Sequence, residues 1–597
     1  MAKELLMGNE AIARGALEAG CRVATAYPGT PSSEILYTLS GWAQEGLLYA
    51  EWSSNEKVAL EVAAGAAYAG ARSLVAMKQV GLNVAADPLM SLAYMGVKGG
   101  MVIVVADDPG PHSSQNEQDT RAFGRFAQLP VLDPTTVEEA KEMTKVAFTL
   151  SEELGLPVIL RPTTRICHAT AAVEIQEPEK PQGKPYFEKD PSWVILPAVA
   201  IVKHQRLIRL QNEMRERFAD SQFNEITGSG TLGIVASGVG YAYTKEVLER
   251  LELTEKIKLC KVGTSYPLPP KLMAEFFRGL EKVLVVEEGS PVLEEQVIEA
   301  AWDEGAKFEL LGKRTGAVPI AGEFNVDLVG KIIAQFAGVE GNFGSKRSVP
   351  PQLPVRPPVL CAGCPHRGSF YAFKRAARGM DAVFSGDIGC YTLGAAKPLS
   401  AMDTCLCMGG SITVGSGLAI ADPDRPHVAF IGDSTFFHTG INGLLNAVYN
   451  NTNLTIVILD NRTTAMTGHQ PHPGLGTRAD GVQGPQIDII SLVKAAGVKF
   501  VREVDPYDFK ASVEVAKEAM AFEGPSVVVM KRECVVIAKK QAPLVVDPDL
   551  CTNCQVCIKQ LGCPAMYIED GIKIGHNCNG CNLCAQICPQ KAIREAK

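Results

Sequence analysis

Cysteine residues near the C-terminus have the spacing of iron–sulfur ligands. Eight of the 17 cysteines lie between Cys551 and Cys588, in two strings of the form CxxCxxC, each followed by a fourth cysteine and a proline. In two-cluster ferredoxins such a string places three thiolates around one [4Fe–4S] cubane, and the distant fourth cysteine ligates the other cluster. We therefore assign one cluster to a first quartet and one to a second quartet. The first quartet is Cys551, Cys554, Cys557 and Cys588, and the second is Cys578, Cys581, Cys584 and Cys563.

Two other interpretations of these cysteines are available. A disulfide framework is typical of short secreted chains, whereas residues 1–20 mix charged with apolar side chains and show no signal-peptide pattern. Tetrahedral zinc needs four ligands, and two complete strings favour iron–sulfur clusters over it. In the first string the last cysteine, Cys563, comes two residues later than its counterpart in the second, so its loop departs from the ferredoxin pattern.

A second group of residues has the character of a magnesium site. Gly432, Asp433 and Ser434 follow an apolar run, and Asn461 stands 28 residues beyond Asp433 at the end of the next one. Mg2+ takes about six oxygen ligands in octahedral geometry, and Asp433, Asn461 and the carbonyl of Thr463 are candidates. The spacing resembles the thiamine-diphosphate motif, which opens with GDG and closes with Asn, although Ser434 replaces the second glycine. A plain strand-to-helix turn is the alternative.

Three glycine-rich turns in the same region are candidate anion donors. They contain His366, then Gly389 with Cys390, then Gly409, Gly410 and Ser411. Such turns expose backbone N–H groups, so we expect them to contact a diphosphate, while Gly432 allows close approach of the backbone. His366 either contacts the diphosphate or caps a helix.

Glu56 is the candidate for activating a thiamine cofactor. Thiamine enzymes need a carboxylate that hydrogen-bonds the aminopyrimidine ring and promotes loss of the C2 proton. Glu56 follows Ser53, Ser54 and Asn55 and precedes an alanine-rich helix at 58–70. A glutamate in a first turn also complements the helix dipole, which is its alternative role.

The predicted elements alternate between helix and strand, which is typical of parallel α/β domains. Candidate strands are the apolar runs 23–26, 73–77, 101–106, 157–160, 232–236, 283–287, 382–385, 428–431, 455–460 and 526–530. Parallel strands end at one edge of their sheet, where ligands commonly bind. Proline-rich segments at 176–191 and 348–358 indicate linkers. We therefore expect an α/β multidomain fold with domains at 1–180, 190–343 and 355–540, followed by a small α+β module at 541–597.

Composition excludes several classes of protein. A chain of 597 residues is too long for one hydrophobic core, and 46% hydrophobic with 21% charged residues is typical of soluble globular proteins. The net charge of −8 is spread along the chain, so no basic block indicates a nucleic-acid partner. No apolar run reaches the length of about eighteen residues that a membrane span needs. We expect a cytoplasmic protein with neither nucleic-acid nor membrane partners.

Several longer motifs occur in the order of one known family. They are Tyr27–Ser33, Asn55–Lys57, Gly81–Asn83, Asp107–Pro111, Ser113–Asp119, Cys361–Gly368, Gly386–Gly394 and the C-terminal cysteine strings. Along essentially its whole length the sequence resembles the alpha subunits of indolepyruvate:ferredoxin oxidoreductases, and more loosely the pyruvate:ferredoxin oxidoreductases. The resemblance implies, in the order of the four predicted domains, a pyrimidine-binding, a transketolase-C-terminal-like, a diphosphate-binding and a two-cluster ferredoxin domain. The two thiamine-binding domains are expected to be doubly wound.

The resemblance also implies roles for single residues. In the pyruvate enzymes a threonine and an arginine hold the substrate carboxylate, and the matching positions are Thr30 and Arg121. Thr30 precedes Pro31, where a helix N-terminus favours an anion, and an arginine can pair with a carboxylate through two hydrogen bonds. A surface salt bridge is the alternative role of Arg121. Gly29 and Met466 replace a bulkier and a more polar residue of the pyruvate enzymes, which favours an aromatic substrate.

A third quartet matches cysteines that hold a further cubane in the pyruvate enzymes: Cys361, Cys364, Cys390 and Cys534. Oxidation by single electrons needs a nearby first acceptor, so we predict a third [4Fe–4S] cluster. Buried apolar thiols are the alternative, because free cysteine is often buried.

The expected function is oxidative decarboxylation of arylpyruvates, with thiamine diphosphate and Mg2+ as cofactors, CoA as co-substrate and an external ferredoxin as acceptor. A smaller beta subunit is the expected partner. The alternatives are an enzyme for a branched-chain 2-oxoacid or pyruvate, a non-oxidative decarboxylase, and an electron-transfer subunit with a vestigial thiamine site.

Overall fold

The computed structural model of the chain describes residues 2–179, 183–344, 353–354 and 356–595. The chain divides into two compact units. The N-terminal unit comprises Met1–Pro350 with Ala479–Gly481, and the C-terminal unit comprises Pro351–Arg478 with Val482–Lys597. Of the two predicted linkers, residues 180–182, 348–352 and 355 lie outside the described residues.

The first domain of the N-terminal unit alternates strands and helices. Its elements are β1 (Lys3–Met7), α1 (Gly8–Glu18), β2 (Val23–Ala26), α2 (Ser33–Gln44), β3 (Tyr49–Trp52), α3 (Glu56–Tyr68), β4 (Ser73–Lys78), α4 (Gln79–Val84), α5 (Ala86–Met95), β5 (Met101–Ala106), α6 (Thr120–Ala127), β6 (Val131–Leu132), α7 (Val137–Leu154), β7 (Val158–Leu160), α8 (Thr164–His168), β8 (Thr170–Glu174) and α9 (Pro197–Phe218). Every residue of β5 is buried, which is typical of a parallel strand covered by helices on both faces.

The second domain of the N-terminal unit is a smaller α/β body. Its elements are β9 (Asn224–Thr227), β10 (Leu232–Ala236), α10 (Gly238–Arg250), β11 (Lys258–Val262), β12 (Thr264–Tyr266), α11 (Pro270–Phe277), β13 (Lys282–Val286), α12 (Val292–Asp303), β14 (Glu309–Leu311) and α13 (Val326–Ala337). Its five-stranded sheet has the order β14-β13-β10-β11-β9, and only β9 pairs in the antiparallel sense.

Two segments beyond the predicted boundary between these two domains pack on the first domain. Helix α9 packs its apolar face into the core of the first domain, through Leu207, Leu210, Met214 and Phe218. Strand β12 also joins the first sheet, whose order is β12-β6-β7-β5-β4-β2-β3, by antiparallel pairing with β6. Both segments lie after the proline-rich linker at 176–191. They pack on the first domain because burial of their apolar side chains there stabilises the fold, whereas a proline-rich stretch is only a local signal of a linker.

The C-terminal unit begins with a third α/β domain. Its elements are α14 (Pro365–Ala376), β15 (Val383–Gly386), β16 (Thr404–Cys405), α15 (Gly410–Ala421), β17 (His427–Gly432), α16 (Asp433–Thr435), α17 (Ile441–Tyr449), β18 (Thr455–Asp460), α18 (Ile489–Ala495), β19 (Phe500–Val504), α19 (Phe509–Ala521) and β20 (Ser526–Lys531). The six strands are all parallel, in the order β16-β15-β17-β18-β20-β19. Asp433 and Asn461 therefore follow neighbouring strands at the same edge.

A small module closes the chain. Its elements are β21 (Leu544–Val546), α20 (Val556–Leu561), β22 (Met566–Ile568), β23 (Ile572–Ile574), α21 (Leu583–Ile587) and β24 (Ile593–Glu595). The strands form two antiparallel pairs, β21 with β24 and β22 with β23. Its core includes cysteines alongside Leu544, Leu561, Met566 and Leu583.

All ten predicted strands are present, and their observed ends differ by no more than one residue from the predicted ends. Their apolar runs are buried on both faces, so hydrophobicity alone marks their limits. Within the described residues, no helix is both long and apolar enough for a membrane span.

Candidate functional site

Glu56 lies at the carboxyl edge of the seven-stranded sheet, at the start of α3. Asn55 caps this helix, and its side-chain oxygen accepts a hydrogen bond from Val58 N at 2.9 Å. Only 5% of Glu56 is exposed. A Cβ atom on Gly81 would stand 2.6 Å from Glu56 Oε1. Gly81 therefore leaves the space that the Glu56 carboxylate occupies, a relation between two motifs that the sequence did not reveal.

Thr30 lies in the loop between β2 and α2, where Ser32, not Thr30, is the N-cap of the helix. The carbonyl of Thr30 accepts from Ser113 Oγ at 3.1 Å, and Lys78 Nζ donates to the carbonyl of Ser113 at 3.0 Å. A Cβ atom on Gly29 would stand 3.2 Å from Cγ and Cδ of Lys78. The lack of a side chain at Gly29 thus accommodates Lys78, and Thr30 and Lys78 belong to one group of loops.

Lys78 is a candidate functional residue that the sequence analysis missed. It ends β4, the strand beside β2, and its side chain is partly buried. Burial lowers the pKa of Lys78, while the neighbouring carboxylates of Asp108 and Glu56 raise it. A partly desolvated cation beside Thr30 is suited to bind a carboxylate. Its position at a strand end, just before the Gly81 motif, could have identified Lys78 in the sequence.

Arg121 has a different environment from the one expected of a substrate ligand. The residue is fully buried. Its guanidinium donates to Asp119 Oδ2 at 2.6 Å and to the carbonyl of Glu288 at 2.6 Å, and it lies 2.8 Å from Glu287 Oε2. Burial lowers the pKa of Arg121, but Asp119 and Glu287 more than offset this effect and raise it. Arg121 therefore ties the first domain to the second through a buried ion pair.

A second buried arginine extends this network. Arg161 Nε donates to Asp107 Oδ2 at 2.7 Å, and its guanidinium lies 3.4 Å from Asp133 Oδ1. Burial raises the pKa of Asp119, but Arg121 and Arg161 lower it to about 2. Asp107 and Asp119 come from two of the motifs that carry the family resemblance, so these motifs supply counter-ions for buried arginines.

Asp433 lies at the end of β17 and is buried. Its Oδ1 accepts from Ser434 N at 2.8 Å and its Oδ2 from Arg462 N at 2.8 Å, while His472 Nε2 lies 3.1 Å from Oδ2. Burial raises the pKa of Asp433, but His472 and these hydrogen bonds lower it below its usual value. The ionised carboxylate is the form that a hard cation binds. His472 has no motif around it and was not predicted.

Asn461 follows the neighbouring strand, β18, and forms the other side of this turn. Its Oδ1 accepts from Thr463 N at 3.3 Å, and its Nδ2 lies 3.3 Å from Nε2 of His366. Burial lowers the pKa of His366 to about 4, so its imidazole is neutral at physiological pH, while Asp433 has the opposite effect. The structure thus brings together the side chains that the sequence proposed around a magnesium diphosphate.

A second carboxyl group, Asp460, was not predicted at this turn. The amide of Arg462 lies within hydrogen-bond distance of both carboxyl groups, at 2.8 Å from Asp433 Oδ2 and 3.1 Å from Asp460 Oδ1. Burial and the nearby Asp433 raise the pKa of Asp460 to about 7. Two buried carboxyl groups beside an asparagine oxygen form an oxygen-rich, electronegative donor set that fits Mg2+.

The turn before α15 is the one whose amides, at Gly409, Gly410 and Ser411, were predicted to contact a diphosphate. The amides of Gly409 and Ser411 donate to the two carboxylate oxygens of Asp387, each at 2.9 Å. Burial raises the pKa of Asp387 to about 6, whereas these hydrogen bonds lower it. Gly409 has a φ of 81°, and a Cβ atom there would collide with Thr439. This turn therefore holds Asp387 at the N-terminus of α15.

Gly389 and Gly432 have a packing role that the sequence did not predict. A Cβ atom on either glycine would collide with the ring of Tyr391, whose hydroxyl donates to the carbonyl of Ile388 at 2.9 Å. The absence of a side chain at Gly432 thus makes room for a packed aromatic ring, and the approach of a phosphate there stays a prediction. Tyr391 follows Cys390 in the same short helical turn.

The cysteines of the third quartet lie close together. Cys361 and Cys364 share one turn, in which Cys364 N donates to the carbonyl of Cys361 at 3.1 Å, and Cys534 N donates to the carbonyl of Asn461 at 3.0 Å. Burial raises the pKa of Cys364 to about 12, and Cys361 and Cys534 contribute in the same direction. Burial also raises the pKa of Cys390 to about 11, again with contributions from Cys534 and Cys361. Three separate loops therefore bring these thiols within electrostatic reach of one another.

The first and second quartets each line a cavity of the C-terminal module. One cavity is lined by Cys551, Cys554, Cys557 and Cys588, and the other by Cys563, Cys578, Cys581 and Cys584. Within the described residues, no three His, Cys, Asp or Glu side chains are grouped to share a single metal ion. A cubane is larger than one ion and takes thiolates at separate corners, so a hollow between four cysteines is the arrangement that a cluster needs.

The second quartet lies beside the third. Asn579, inside the second cysteine string, donates to the carbonyl of Ala362 at 2.6 Å. Arg367, at the start of α14, donates to the carbonyl of Gly562 at 3.0 Å, next to the last cysteine of the first string. Gly363 and Arg367 also line the cavity of the second quartet. The loop that carries Cys361 and Cys364 therefore forms part of the wall of that cavity.

Three protein-family models match the chain in succession. Residues 14–217 match "Pyruvate flavodoxin/ferredoxin oxidoreductase, thiamine diP-bdg", residues 226–336 match "Indolepyruvate oxidoreductase domain", and residues 387–530 match "Thiamine pyrophosphate enzyme, C-terminal TPP binding domain". The first match covers α9 as far as Arg217, in agreement with the packing of this helix in the first core. The third includes the Asp433 turn.

Curated relatives match nearly the full chain. Indolepyruvate oxidoreductase subunit IorA of Methanothermobacter thermautotrophicus is 46% identical, over 99% of this chain and 97% of that protein. The subunit of the same name from Pyrococcus abyssi is also 46% identical, with the same coverage. Among solved structures, a 2-oxoglutarate:ferredoxin oxidoreductase from Magnetococcus marinus is 17% identical, with a TM-score of 0.45 over 56% of this chain and 65% of that one.

Proposed function

The chain belongs to the family of indolepyruvate oxidoreductase IorA subunits, the alpha subunits of indolepyruvate:ferredoxin oxidoreductases, and we propose that it converts arylpyruvates and CoA into aryl-acetyl-CoA and CO2 while reducing a ferredoxin. The observation that carries the proposal lies in the C-terminal unit. There the amide of Cys534 is hydrogen-bonded at 3.0 Å to the carbonyl of Asn461, so the loop of a cluster cysteine is joined to the turn of a magnesium ligand. This contact supports adjacent sites for decarboxylation and electron removal.

Candidate cofactor contacts are assigned separately within each unit. Glu56 is the carboxylate for the aminopyrimidine ring, and Asp433, Asn461 and the carbonyl of Thr463 are the protein ligands of Mg2+, with His366 beside the diphosphate. When bound, thiamine diphosphate supplies the carbon nucleophile and the electron sink for loss of CO2. Glu56 holds its proton-transfer position because Gly81 leaves room for its carboxylate. His472 keeps Asp433 ionised for the metal.

The substrate carboxylate is assigned to Thr30 and Lys78. Lys78 replaces Arg121 in this role because the guanidinium of Arg121 is already bound by two buried carboxylates. Lys78 lies at the carboxyl edge of the sheet and reaches the Ser113 carbonyl that adjoins Thr30. A lysine ammonium has three donors, so it can orient a substrate carboxylate while it keeps its contact with Ser113.

Electrons are proposed to leave through the quartets in a fixed order. The third quartet is the first acceptor, because Cys534 adjoins the Asn461 turn. The second quartet follows, because Gly363 of the Cys361–Cys364 loop lines its cavity. The first quartet is then the last cluster before the external ferredoxin. Iron–sulfur clusters at all three places account for twelve of the 17 cysteines.

A smaller beta subunit, CoA and a ferredoxin complete the proposed system. The test is an anaerobic assay of the chain with its beta subunit against indolepyruvate, phenylpyruvate, a branched-chain 2-oxoacid and pyruvate, with ferredoxin reduction as the readout. We expect the highest kcat/KM with an arylpyruvate. Faster turnover of pyruvate would contradict the substrate assignment. Decarboxylation without ferredoxin reduction would contradict the electron route.

A further inference from the structure

A groove on the C-terminal unit lies beside the first quartet. It has a volume of about 660 Å3 and is formed between α14 and the C-terminal module. Its wall on the side of the module includes Val556, Ile587 and Pro589. Val556 is the neighbour of Cys557, and Ile587 and Pro589 flank Cys588. Two ligands of the first quartet are therefore one residue from the groove wall.

The charge of this groove is opposite to that of the chain. Among the described residues its lining has three cationic side chains, Lys374, Arg375 and Arg378, and no carboxylate. The chain as a whole has a net charge of −8, so its overall charge repels an acidic partner at long range. A local cationic patch next to an electron outlet steers such a partner to one place.

The rest of the groove offers an apolar contact surface. Tyr371 and Phe509 stack with ring centroids 5.0 Å apart, and Leu399, Ile587 and Pro589 extend the apolar lining. Lys374 is anchored by a hydrogen bond from its ammonium to the carbonyl of Leu399. Apolar and aromatic groups with a cationic rim are typical of protein interfaces, and one wall belongs to the cluster module itself.

We propose that this groove is the docking site of the electron acceptor, a small acidic iron–sulfur protein that binds Arg375 and Arg378 and takes electrons from the first quartet. The proposal rests on the proposed function, because it needs electrons to arrive at the first quartet. Basic residues in the last turn of a helix also complement its dipole, as Lys374 and Arg375 do in α14. Arg378 lies beyond the end of α14 at Ala376, so its charge complements the helix dipole less. A variant of Arg378 therefore separates acceptor binding from helix stability.

The test compares the Arg375→Glu/Arg378→Glu double variant with a matched control, Arg502→Glu/Lys517→Glu. The control arginine and lysine are about half exposed and lie outside the groove lining. The assembled holoenzyme is used, with an acidic two-[4Fe–4S] ferredoxin as the probe. Binding is measured without turnover, and steady-state rates are measured separately with ferredoxin and with methyl viologen. Arg378→Glu alone serves if the double variant does not assemble.

In the double variant we expect at least about tenfold weaker ferredoxin binding and a matching rise in KM for ferredoxin at low salt, with an unchanged methyl viologen rate. The loss should shrink as ionic strength rises, because salt screens exposed charges. The control should bind ferredoxin as the wild type does. Unchanged ferredoxin binding would overturn the proposal, as would a rise in KM for CoA or loss of the beta subunit instead. A wild-type enzyme that reduces neither acceptor would contradict the proposed function, while the binding comparison would still decide the docking site.

Discussion

Replacement of Arg121 by methionine separates a structural role from substrate binding. The substitution removes the guanidinium and keeps most of the side-chain length. It leaves Asp119 and Glu287 without their shared cation, and the side chains of these residues are 1% and 0% exposed. Removal of one partner from a buried ion pair costs about 3–5 kcal/mol. At roughly 2 °C per kcal/mol for a large domain, the expected loss in Tm is about 6–10 °C.

The assay is thermal unfolding of the purified chain, followed at a wavelength that reports secondary structure, together with steady-state kinetics below the transition. Arg125→Met is the matched control on the same helix. Arg125 pairs with Glu295 and Glu299 at the surface, where 39% of its side chain is exposed, so its loss should cost less than about 1 kcal/mol. We expect Arg121→Met to lower Tm and leave KM for indolepyruvate nearly unchanged in the folded fraction.

One result would refute this reasoning. If Arg121→Met kept the Tm of the wild type and raised KM for indolepyruvate tenfold or more, the guanidinium would be a substrate ligand. The buried ion pair would then not contribute to stability, and the resemblance to the pyruvate enzymes would have assigned Arg121 correctly.

Three further predictions concern the site itself. Gly81→Ala should lower kcat by at least about 100-fold without unfolding the chain, because the added Cβ atom would stand 2.6 Å from Glu56 Oε1. The control Gly65→Ala should leave kcat unchanged, because nothing lies within 4 Å of a Cβ atom there. Equal rates in the two variants would contradict the role of Gly81. Lys78→Met should lower kcat/KM for arylpyruvates by about 10- to 100-fold, the effect of losing one hydrogen bond to a charged group of about 1.5–3 kcal/mol; an unchanged value would exclude Lys78 from carboxylate binding. Cys534→Ser should reduce the iron content from about twelve to about eight atoms per chain, and eight in the wild type would remove the third cluster.

Much of the fold could be predicted from local sequence. Strands such as Thr455–Asp460 and Met101–Ala106 are continuous apolar runs between turns, and they need no partner to be recognised. The domain boundary could not be predicted in this way. Helix α9 carries a mixed, highly charged sequence, and only its packing through Leu207 and Met214 assigns it to the first core. Strand β12 is three residues long, and only its pairing with β6 assigns it to the first sheet.

In the candidate site, too, features that depend on local spacing were predicted and features that depend on distant residues were not. Spacing predicted the membership of both module quartets, because a cubane takes three ligands from one short loop and the fourth from the other string. The two cavities of the module contain these same sets of four cysteines. The glycines were harder to interpret. Gly81 makes room for Glu56, and Gly432 makes room for Tyr391; each partner is distant in sequence and has no local signature.

The sequence by itself determined the strands, the grouping of the cysteines into quartets and the position of Asp433 and Asn461 at strand ends. These features depend on short-range periodicity and on residue spacing within one loop. Tertiary structure alone decided which charges are available for chemistry. Arg121 and Lys78 are both cations near turns at the same sheet edge, yet Arg121 is surrounded by buried carboxylates and Lys78 lies at the edge beside Thr30. Burial and the placement of counter-ions from distant strands decide this difference, since a charge in a low-dielectric interior must be paired where it stands.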